Sequence, residues 1–407
     1  MAYLRSLTPF RVLKEVTAAL ASLPPDFALL QVVPELETGG AEQTAIDIAQ
    51  AVVSAGGRAY VATRGGRMAS RLEADGGRLV QMPVHSKNPL VMMGNAARLI
   101  DLIRKEKISI VHARSRAPAF SALWAAHTTK VPFVATYHGI YNAKSGLKRW
   151  YNAVMTRGDL VIANSDYTRD HVIAEHDAPA DKVISIPRGV DLTRFDPRKV
   201  TAARIQALRD LWGLGKPDGR TVFVLGGRIT RLKGHKTIVD AAALLKTEGR
   251  EDFLILFVGD DQGRTDYRQE VEDAISAGGL SDNIRLVGHC DDMPAAYRLA
   301  DFALLPSTQP ESFGRAAVEP QAMGRPVLVS DHGGARETVV EGETGWRLPV
   351  GDAKAWARGL AEAMSTNAGR RRAMGEAGQA RAKNHYSVEA MCEATLAVYA
   401  RILESRA

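Results

Sequence analysis

The amino-acid sequence predicts an α/β protein with two consecutive domains, each built on a parallel β-sheet with helices on both faces. Short, unbroken apolar segments alternate with helix-capable segments through 27–165 and again through 221–349. Apolar strands without alternation are typical of parallel sheets that are covered on both sides. A chain of 407 residues is also long for a single hydrophobic core. We therefore predict two doubly wound, Rossmann-like domains that face each other across a cleft.

The first alternating region contains apolar strands separated by segments that can form helices. The strands lie at 27–33, 59–63, 108–113, 132–138 and 159–165. A Gly-Gly turn follows the first strand and leads into a helix that carries Ile46, Ala49, Val52 and Val53 on one face. A strand, a turn and a helix in this order form the repeating unit of a parallel sheet.

A turn-rich segment interrupts the alternation before it begins again. Residues 183–197 are extended, and a polar helix near 199–212 ends in the Gly- and Pro-rich sequence WGLGKPDGR. The second region has strands at 221–227, 253–259, 284–288, 302–307 and 326–330, with a short last strand at 346–349. We predict a first domain over 1–195, a linker over 196–220, a second domain over 221–384, and a C-terminal helix over 385–407 that returns to the first domain.

The composition is that of an ordinary globular protein, with 45% apolar and 24% charged residues, and it excludes fibrous and disordered classes. No apolar segment approaches the roughly 18 residues that a membrane-spanning helix needs. The N-terminal segment MAYLRSLTPFRVLKEVTAALASLPPDF lacks the pattern of a signal peptide. The cysteines, Cys290 and Cys392, form no CxxC or metal-binding spacing. We therefore expect a reducing, cytoplasmic compartment and no disulfide scaffold.

The net charge of +7 arises wholly in the first half of the chain. Residues 1–195 contain 24 basic and 17 acidic side chains, whereas the remaining residues contain 29 of each. Within the first half, residues 85–149 contain 11 basic side chains and two acidic ones. Such a region attracts nucleic acid, anionic lipid or an acidic glycan, or it is simply a solvated basic surface.

Two glycine pairs lie where a predicted strand gives way to a helix. Gly39 and Gly40 come after the first strand, and Gly333 and Gly334 precede a helix that Glu337 opens. Glycine permits close approach of a ligand to the backbone, and free amides at a helix N-terminus favour a phosphate group. Either pair could equally belong to a plain structural turn, which Glu337 would cap in the second case.

Two cations and a histidine also stand at strand ends. Arg228 and Lys233 lie five residues apart in a glycine-containing loop between a strand and a helix. Such cations would neutralise a diphosphate and stabilise it as it leaves, or they are solvated loop residues. His138 ends the strand PFVATYH. A lone histidine there is more often structural, but this position faces the predicted cleft, which favours a function.

The most specific pattern is a pair of glutamates in the sequence PESFGRAAVEPQAMG. Glu311 and Glu319 are separated by seven residues. If 314–323 is helical, Glu311 lies just before the helix and Glu319 about two turns along it, so that both can contact one ligand. The residues that offer backbone amides at this helix N-terminus are Ser312, Phe313 and Gly314. Carboxylates accept hydrogen bonds from sugar or ribose hydroxyls; a capping glutamate and an unrelated surface glutamate are the alternative.

Taken together, these patterns resemble glycosyltransferase family 4. The resemblance rests on ESFGRAAVE at 311–319, GRxxxxKG at 227–234, GGAE at 39–42, YHG at 137–139, ANSDYTRDHV at 163–172 and IPRGVDLTRF at 186–195. It extends from about residue 27 to about residue 400. The resemblance implies the GT-B fold, nucleotide-sugar donors and retention of configuration at the transferred sugar.

The resemblance also implies roles for residues of the second domain, which would bind the nucleotide sugar. Arg228 and Lys233 match the family's diphosphate-contacting pair. Glu311 matches the first glutamate of the E-x7-E motif, near the donor sugar, and Glu319 matches the second, which holds the ribose. The family's backbone contacts to the sugar hydroxyls fall on Phe313 and Gly314.

In the first domain, Gly39 and Gly40 match the loop that approaches the phosphates and the acceptor. His138 matches the family's histidine near the donor sugar. Two residues depart from the family pattern. Arg188 stands where many members have asparagine, and Tyr137 replaces the more frequent threonine before the histidine.

The mechanism that the resemblance implies is front-face substitution, in which the acceptor hydroxyl arrives on the face from which the diphosphate leaves. Arg228 and Lys233 would stabilise the departing charge, while Glu311 and His138 position the sugar. No cofactor and no metal are expected, because protein cations take the place of a metal and no Asp-x-Asp pattern occurs. The donor stays open among GDP-mannose, UDP-glucose, UDP-galactose and UDP-N-acetylhexosamines.

The acceptor is expected at the first domain, which holds it in this family and which here contains the basic segment 85–149. The sequence GLKRWYNAVMTRG places cations beside Trp150 and Tyr151. This mixture suits an anionic membrane surface or an acidic, lipid-carried acceptor. We therefore expect a glycan or lipid-linked glycan of the cell envelope, lipopolysaccharide core or a related surface polysaccharide first, and a peripheral location at the inner face of the cytoplasmic membrane.

Three other functional classes fit parts of the sequence. A sugar-nucleotide epimerase can share the GT-B fold, but its acid and base residues form a different constellation, and E-x7-E is not its signature. A nucleic-acid-binding protein would explain the positive charge but not the neutral second half, and no nucleic-acid-binding motif occurs, so no nucleic-acid partner is expected. A non-catalytic sugar-nucleotide-binding protein would carry the same polar groups.

Overall fold

Two parallel β-sheets, of seven and six strands, organise residues 23–37, 39–141 and 145–406, which the computed structural model describes. The first compact unit contains the described residues up to Gly189 together with those from Val388 onward. The second contains Val190–Ser387. The N-terminal segment, for which we expect no signal peptide, lies outside the described residues through position 22, as does Lys144 of the basic segment.

The first sheet consists of β1 (Ala28–Val32), β2 (Arg58–Thr63), β3 (Arg78–Gln81), β4 (Ile110–Ala113), β5 (Phe133–Tyr137), β6 (Leu160–Ala163) and β7 (Val183–Ser185). Its strand order is β3-β2-β1-β4-β5-β6-β7. The helices between these strands are α1 (Gly40–Ser54), α2 (Ala69–Ala74), α3 (Pro89–Glu106), α4 (Arg116–Thr129), α5 (Gly146–Asn152) and α6 (Asp166–His176). The order reverses between β1 and β4, where doubly wound sheets bind ligands.

The second sheet consists of β8 (Thr221–Gly226), β9 (Phe253–Val258), β10 (Ile284–Gly288), β11 (Phe302–Leu305), β12 (Val327–Ser330) and β13 (Gly345–Leu348), in the order β10-β9-β8-β11-β12-β13. Its unit contains α7 (Ala202–Leu211), α8 (His235–Thr247), α9 (Thr265–Ala277), α10 (Met293–Leu299), α11 (Arg315–Ala322), α12 (Ala335–Thr338), α13 (Ala353–Ser365) and α14 (Ala368–His385). The last helix, α15 (Val388–Glu404), belongs to the first unit.

Both faces of each sheet are covered, which explains why the strands are apolar without alternation. In β1, Leu30 packs into the core on one face and Leu29 into the core on the other. In β9, Leu256 and Ile255 likewise pack into cores on opposite faces of the sheet. Successive strand residues point to opposite faces, so a strand between two helical layers needs apolar residues throughout. The prediction of two doubly wound α/β domains is confirmed.

Two short edge strands were not predicted. In β3, which reads RLVQ, the terminal residues Arg78 and Gln81 are exposed, so the strand lacks an apolar segment of recognisable length. Strand β7 has three residues and lies in the segment 183–197, for which we expected extended, turn-rich structure. Both strands stand at the margins of the sheet, where one edge faces no further strand and short polar sequences are common.

The segment predicted as a linker, 196–220, is instead part of the second unit. It contains α7, and Leu208, Trp212 and Leu214 are buried in the core of that unit. The apolar side chains of the helix and of the turn after it outweigh the polar composition on which the linker was predicted. At the other end of the chain, α15 packs against α1 in the first unit, with Leu396 buried in the shared core.

Candidate active site

Three loops at the carboxyl edge of the second sheet carry the predicted residues of the second domain. They follow β8, β11 and β12, which are neighbouring strands. The loop after β8 holds Arg228 and Lys233, the loop after β11 holds Glu311, and the loop after β12 holds Gly333. The strand order reverses between β8 and β11, so this edge is where a doubly wound sheet binds ligands.

Two glycines allow these loops to pack directly on each other. Gly234 has φ +72°, and a Cβ there would lie 1.9 Å from the carbonyl oxygen of Pro306. Gly333 has φ +62°, and a Cβ there would lie 2.7 Å from the carbonyl oxygen of Glu311. Neither position accepts a side chain unless the backbone moves. The loops after β8 and β12 are therefore held against the segment that carries Glu311.

Lys233 and Glu311 form an ion pair within these loops. The Nζ atom of Lys233 lies 2.6 Å from Oε1 of Glu311, and Ser307 Oγ donates a hydrogen bond of 2.7 Å to the same oxygen. Burial opposes the ionisation of Glu311, but the ammonium and both hydrogen bonds outweigh it and hold the pKa of this carboxyl below its ordinary value. The structure thus provides a charged, oriented carboxylate beside a cation.

Glu319 forms a second ion pair, with Arg315 one turn earlier in α11. Nη2 of Arg315 donates to Oε1 of Glu319 at 2.9 Å. Burial raises the pKa of Glu319, and the guanidinium of Arg315 reduces this rise without cancelling it. The charge of Glu319 therefore depends on Arg315.

The residues between the two glutamates lead into α11. The side chain of Phe313 is buried and packs on Tyr386, with the ring centroids 5.6 Å apart. Gly314 precedes the first residue of α11, and Ser312 is half-buried before it. The observed helix Arg315–Ala322 lies within the predicted 314–323, so Glu311 precedes it and Glu319 lies in its second turn.

Arg228 contacts a different loop from Lys233. Its side chain is exposed, and Nη1 donates to Oε1 of Gln262 at 3.2 Å, in the loop that follows β9. The two predicted cations thus belong to one loop but have different partners: a half-buried carboxylate for Lys233 and a neutral amide for Arg228.

Three residues at this edge were not predicted: Ser307, Arg315 and His332. Ser307 ends the predicted strand 302–307 and binds Glu311, as described above. His332 Nε2 lies 2.9 Å from the carbonyl oxygen of Ser307, so this nitrogen carries the proton and donates it. Polar residues at the carboxyl ends of β11 and β12 were the available signal, because parallel strands end at the same edge of the sheet.

In the first unit, His138 follows β5 and is held through its backbone by Arg188. Nη2 of Arg188 donates to the carbonyl oxygen of His138 at 2.9 Å. Burial, with the charges of Arg188 and Arg114, lowers the pKa of the His138 imidazole well below its ordinary value. The imidazole is therefore neutral at pH 7.

Gly39 and Gly40 stand at the beginning of α1. Gly39 precedes the helix and Gly40 is its first residue. The side chain of Glu42 folds back over this turn, so that a Cβ on Gly39 would lie 2.0 Å from Glu42 Oε2. A carboxylate is stabilised in the first turn of a helix, where backbone amides point outward. A phosphate group at this turn would therefore compete with Glu42.

Arg114, which was not predicted, is a buried cation at the end of β4. Its side chain is 2% exposed, and Nε donates to Oε1 of Gln31 at 2.7 Å. Burial lowers the pKa of the guanidinium, although nearby Tyr399, Cys392 and Asp47 oppose this shift. The carboxyl edge of the first sheet thus combines a buried cation with neutral hydrogen-bond partners.

Comparisons with known proteins decide the family. The model described as Glycosyltransferase Family 4 matches residues 38–194, and the model described as Glycosyl transferases group 1 matches residues 208–381. The crystal structure of a glycosyltransferase from Rickettsia africae ESF-5 is 31% identical to this chain, with a TM-score of 0.86 and coverage of 93% of this chain and 99% of that chain. The chain belongs to glycosyltransferase family 4.

Other proteins similar to this glycosyltransferase extend the comparison. HepE of Anabaena, crystallised in complex with UDP-glucose, has a TM-score of 0.76 at 24% identity and covers 93% of this chain and 99% of its own. The predicted GT-B fold is confirmed. A D-inositol 3-phosphate glycosyltransferase of Salinispora tropica is 32% identical over 237 residues, which are 57% of this chain and 48% of the relative. The chain thus spans about half the length of that curated relative.

Proposed function

We propose that this glycosyltransferase transfers a hexosyl group from a nucleotide diphosphate sugar, with retention of configuration, to a glycan or lipid-linked glycan of the cell envelope. The observation that carries the proposal is the pairing of Lys233 with Glu311 at the carboxyl edge of the second sheet. A cation at this position stabilises a departing diphosphate, and a carboxylate oriented by Ser307 accepts hydrogen bonds from sugar hydroxyls.

Donor binding, in this proposal, separates the ion pair of Lys233 with Glu311 and keeps the ion pair of Arg315 with Glu319. The diphosphate takes the ammonium of Lys233 and the guanidinium of Arg228, while Glu311 turns its free lone pairs to the hydroxyls of the sugar. Glu319 binds the ribose hydroxyls, and Arg315 remains beside it and offsets part of the rise that burial causes in its pKa. Backbone amides near Gly314 complete the contacts to the sugar.

Transfer then follows a front-face course. The bond between the anomeric carbon and the diphosphate oxygen breaks as the acceptor oxygen binds the same face of that carbon. The acceptor proton passes to the leaving phosphate oxygen. In this proposal the neutral imidazole of His138 positions the donor sugar by hydrogen bonds to its hydroxyls and adds no positive charge. No step of this proposal uses a cofactor or a metal.

A thermal-shift panel of sugar nucleotides tests donor binding directly. We expect one donor to stabilise the protein, by about 2.7 kcal/mol at one hundred times its Kd. UDP-glucose comes first, because HepE shares the fold and was crystallised with it. Lys233→Ala should abolish the shift, whereas Lys236→Ala, which removes an exposed cation paired with Asp240, should preserve it. Absence of stabilisation by every nucleotide sugar would contradict the proposal.

The acceptor has two candidates. Lipopolysaccharide core or a related surface polysaccharide is the first, since the basic segment 85–149 suits an acidic, lipid-carried glycan. Inositol 3-phosphate is the second, because several relatives at 30–33% identity are named as D-inositol 3-phosphate glycosyltransferases. Transfer of labelled sugar to each acceptor, followed by NMR assignment of the new anomeric centre, separates the candidates and tests retention.

The same assay separates the other functional classes. An epimerase would convert the donor into its epimer without any acceptor, and a non-catalytic binding protein would be stabilised by the donor but never consume it. Either result would contradict transfer. Peripheral association with the inner face of the cytoplasmic membrane is part of our proposal, because a lipid-linked acceptor would lie there; cell fractionation tests it.

A further inference from the structure

Large exposed apolar side chains gather on three helices of the first unit. On α3, Leu90 is 76% exposed and Met93 is 52% exposed. On α4, Trp124 is 51% exposed. On α5, Leu147 is 78% exposed and Trp150 is 54% exposed. We call these five residues the apolar patch. Single exposed apolar residues need no explanation, but a group of five, two of them tryptophans, indicates a surface that binds something.

Contacts between the helices join the patch into one surface. Ser121 Oγ on α4 donates to the carbonyl oxygen of Met92 on α3 at 2.9 Å. The ring of Phe120 on α4 lies 5.6 Å from the ring of Trp150 on α5. Trp124 lies one helical turn beyond Phe120 and therefore on the same side of α4.

Cations accompany the patch. The guanidinium of Arg157 lies over the ring of Trp150, 4.7 Å from its centroid. Lys148 follows Leu147 directly and is exposed, and Lys87 is exposed just before α3. Arg98 is exposed farther along α3. Four of the five patch residues thus lie in the basic segment 85–149 and Trp150 directly follows it, so apolar side chains project among positive charges.

We propose that the apolar patch inserts into the surface of an anionic lipid bilayer, while the surrounding cations contact the lipid phosphates. Tryptophan side chains settle at the level of the headgroups, and basic residues add attraction to anionic lipids. In the part of the chain that the structure describes, no helix is long and apolar enough to cross a bilayer, so the contact we propose is shallow. The inference extends the proposed function by naming the surface that meets the membrane.

Charge favours lipid over a second copy of the chain. Two patches brought face to face would oppose Lys87, Lys148 and Arg157 of one copy to the same cations of the other, and like charges across an interface are unfavourable. An anionic bilayer instead offers negative charge at its surface and an apolar layer below it, which matches the arrangement of cations around Leu147 and Trp150.

Tryptophan fluorescence can report insertion at this patch. The chain has five tryptophans, and the three outside the patch, Trp212, Trp346 and Trp356, are buried in the second unit. We expect vesicles of phosphatidylcholine with phosphatidylglycerol to shift the emission of Trp124 and Trp150 to the blue. Brominated acyl chains should quench this emission. Added salt should weaken the binding to the vesicles. Binding without quenching, or no binding at low salt, would overturn the proposal.

Matched leucine variants localise the contact. Leu147→Gln should lower vesicle partitioning about fivefold, because one exposed leucine no longer leaves water. Lys148→Gln should also lower it about fivefold. Leu211 is 75% exposed on α7 of the second unit, so Leu211→Gln is the matched control and should change nothing. Equal effects of the two leucine variants would overturn the proposal.

Two further measurements separate lipid binding from self-association and separate the membrane proposal from the proposed function. If sedimentation shows a dimer that Leu147→Gln dissociates, the patch is a surface for self-association and the lipid proposal is wrong. The thermal shift with sugar nucleotides should be the same in wild type, Leu147→Gln and Lys148→Gln, because these residues lie in the other unit from Lys233. Vesicle binding without any donor binding would therefore contradict the proposed function and leave the membrane surface standing.

Discussion

At the carboxyl edge of the first sheet, Arg114 is buried against the neutral amide of Gln31, whereas at the corresponding edge of the second sheet Lys233 and Arg315 each meet a carboxylate. Arg114 thus carries its positive charge beside a neutral hydrogen-bond partner. At the second edge, the half-buried carboxylates of Glu311 and Glu319 each have a cation in contact with them.

The difference shows how two similar sheets can be prepared for different ligands. In the second unit, a ligand that supplies both anionic and hydroxyl groups can take over the existing partners, so a diphosphate that carries sugars fits this edge. In the first unit, burial and the charges of Arg188 and Arg114 lower the pKa of His138, so this edge presents a neutral imidazole beside cations. The following predictions test or refine this contrast.

Removal of the Lys233 cation should have the largest effect on catalysis among the changes considered. Lys233→Ala is expected to lower kcat by two to three orders of magnitude, about 3–4 kcal/mol, because the departing diphosphate loses a preorganised cation. It also leaves Glu311 without its ion-pair partner, so the pKa of that carboxyl should rise. Steady-state kinetics with the donor identified by thermal shift would measure the effect.

Lys236→Ala is the matched control, since it removes a lysine three residues away whose ammonium contacts Asp240 at the surface. Its kcat should stay within twofold of wild type, about 0.4 kcal/mol. Circular dichroism should show that both variants are folded. Near-normal turnover in Lys233→Ala would remove this residue from the mechanism and with it the contrast between the two edges.

A buried histidine beside Lys233 should make the second unit sensitive to acid. Burial, with a smaller effect of Lys233, lowers the pKa of His235 to about 4, although the backbone of Thr230, as an acceptor for the imidazole, opposes this. The unfolded chain takes up a proton near pH 6.5, so stability is full above that pH and is lost as the pH falls toward 4. Between pH 7 and pH 5 the loss from His235 is about 2 kcal/mol.

NMR titration of the imidazole provides the direct measurement. We expect His235 to titrate near pH 4. Denaturant unfolding at pH 7 and pH 5 should show the loss of stability, and His235→Gln should reduce it while His289→Gln leaves it unchanged. A titration of His235 near pH 6.5 would contradict the prediction.

Glu319 should affect donor binding more than turnover. Glu319→Gln is expected to raise the donor KM about tenfold, about 1.4 kcal/mol, because a charged acceptor of hydroxyl hydrogen bonds is lost. Arg315→Gln should raise KM less, and increasingly as the pH falls, because the pKa of Glu319 rises further when its partner is gone. Since the two residues are in contact, the double variant should show less than the summed effect. Additive effects, or an unchanged KM, would contradict the pairing.

The fold was more predictable from the sequence than the contacts of the site. Unalternating apolar strands identify parallel sheets, because each strand lies between two helical layers, and this held for both units. The edge strand β3 escaped notice because only two of its four residues are apolar. The helix in 196–220 was assigned to a linker because its burial, through Trp212, depends on a core formed by distant segments.

Within the site, the sequence places Lys233 and Glu311 after strands but does not show that β8 and β11 are neighbours. The contact of Arg315 with Glu319 could have been predicted, because the two are four residues apart on one helix. The burial of Arg114 could not have been predicted, since Gln31 and α15 lie close to it in space but are remote from it in the chain. The direction in which the Arg228 side chain points also depends on Gln262, in the loop after β9.

The smallest expected effect concerns that exposed cation. Gln262→Ala removes one neutral hydrogen bond, of 3.2 Å, from Arg228, and we expect about a twofold fall in kcat/KM, because a solvated guanidinium keeps its charge and most of its reach. Gln269→Ala, which removes an exposed amide paired with Asp273 on α9, is the matched control and should leave kcat/KM unchanged. A tenfold fall in Gln262→Ala would show that Arg228 must be held in place as strictly as Lys233. The contrast would then lie between the two units alone. It would no longer separate the half-buried Lys233 from the exposed Arg228 within one loop.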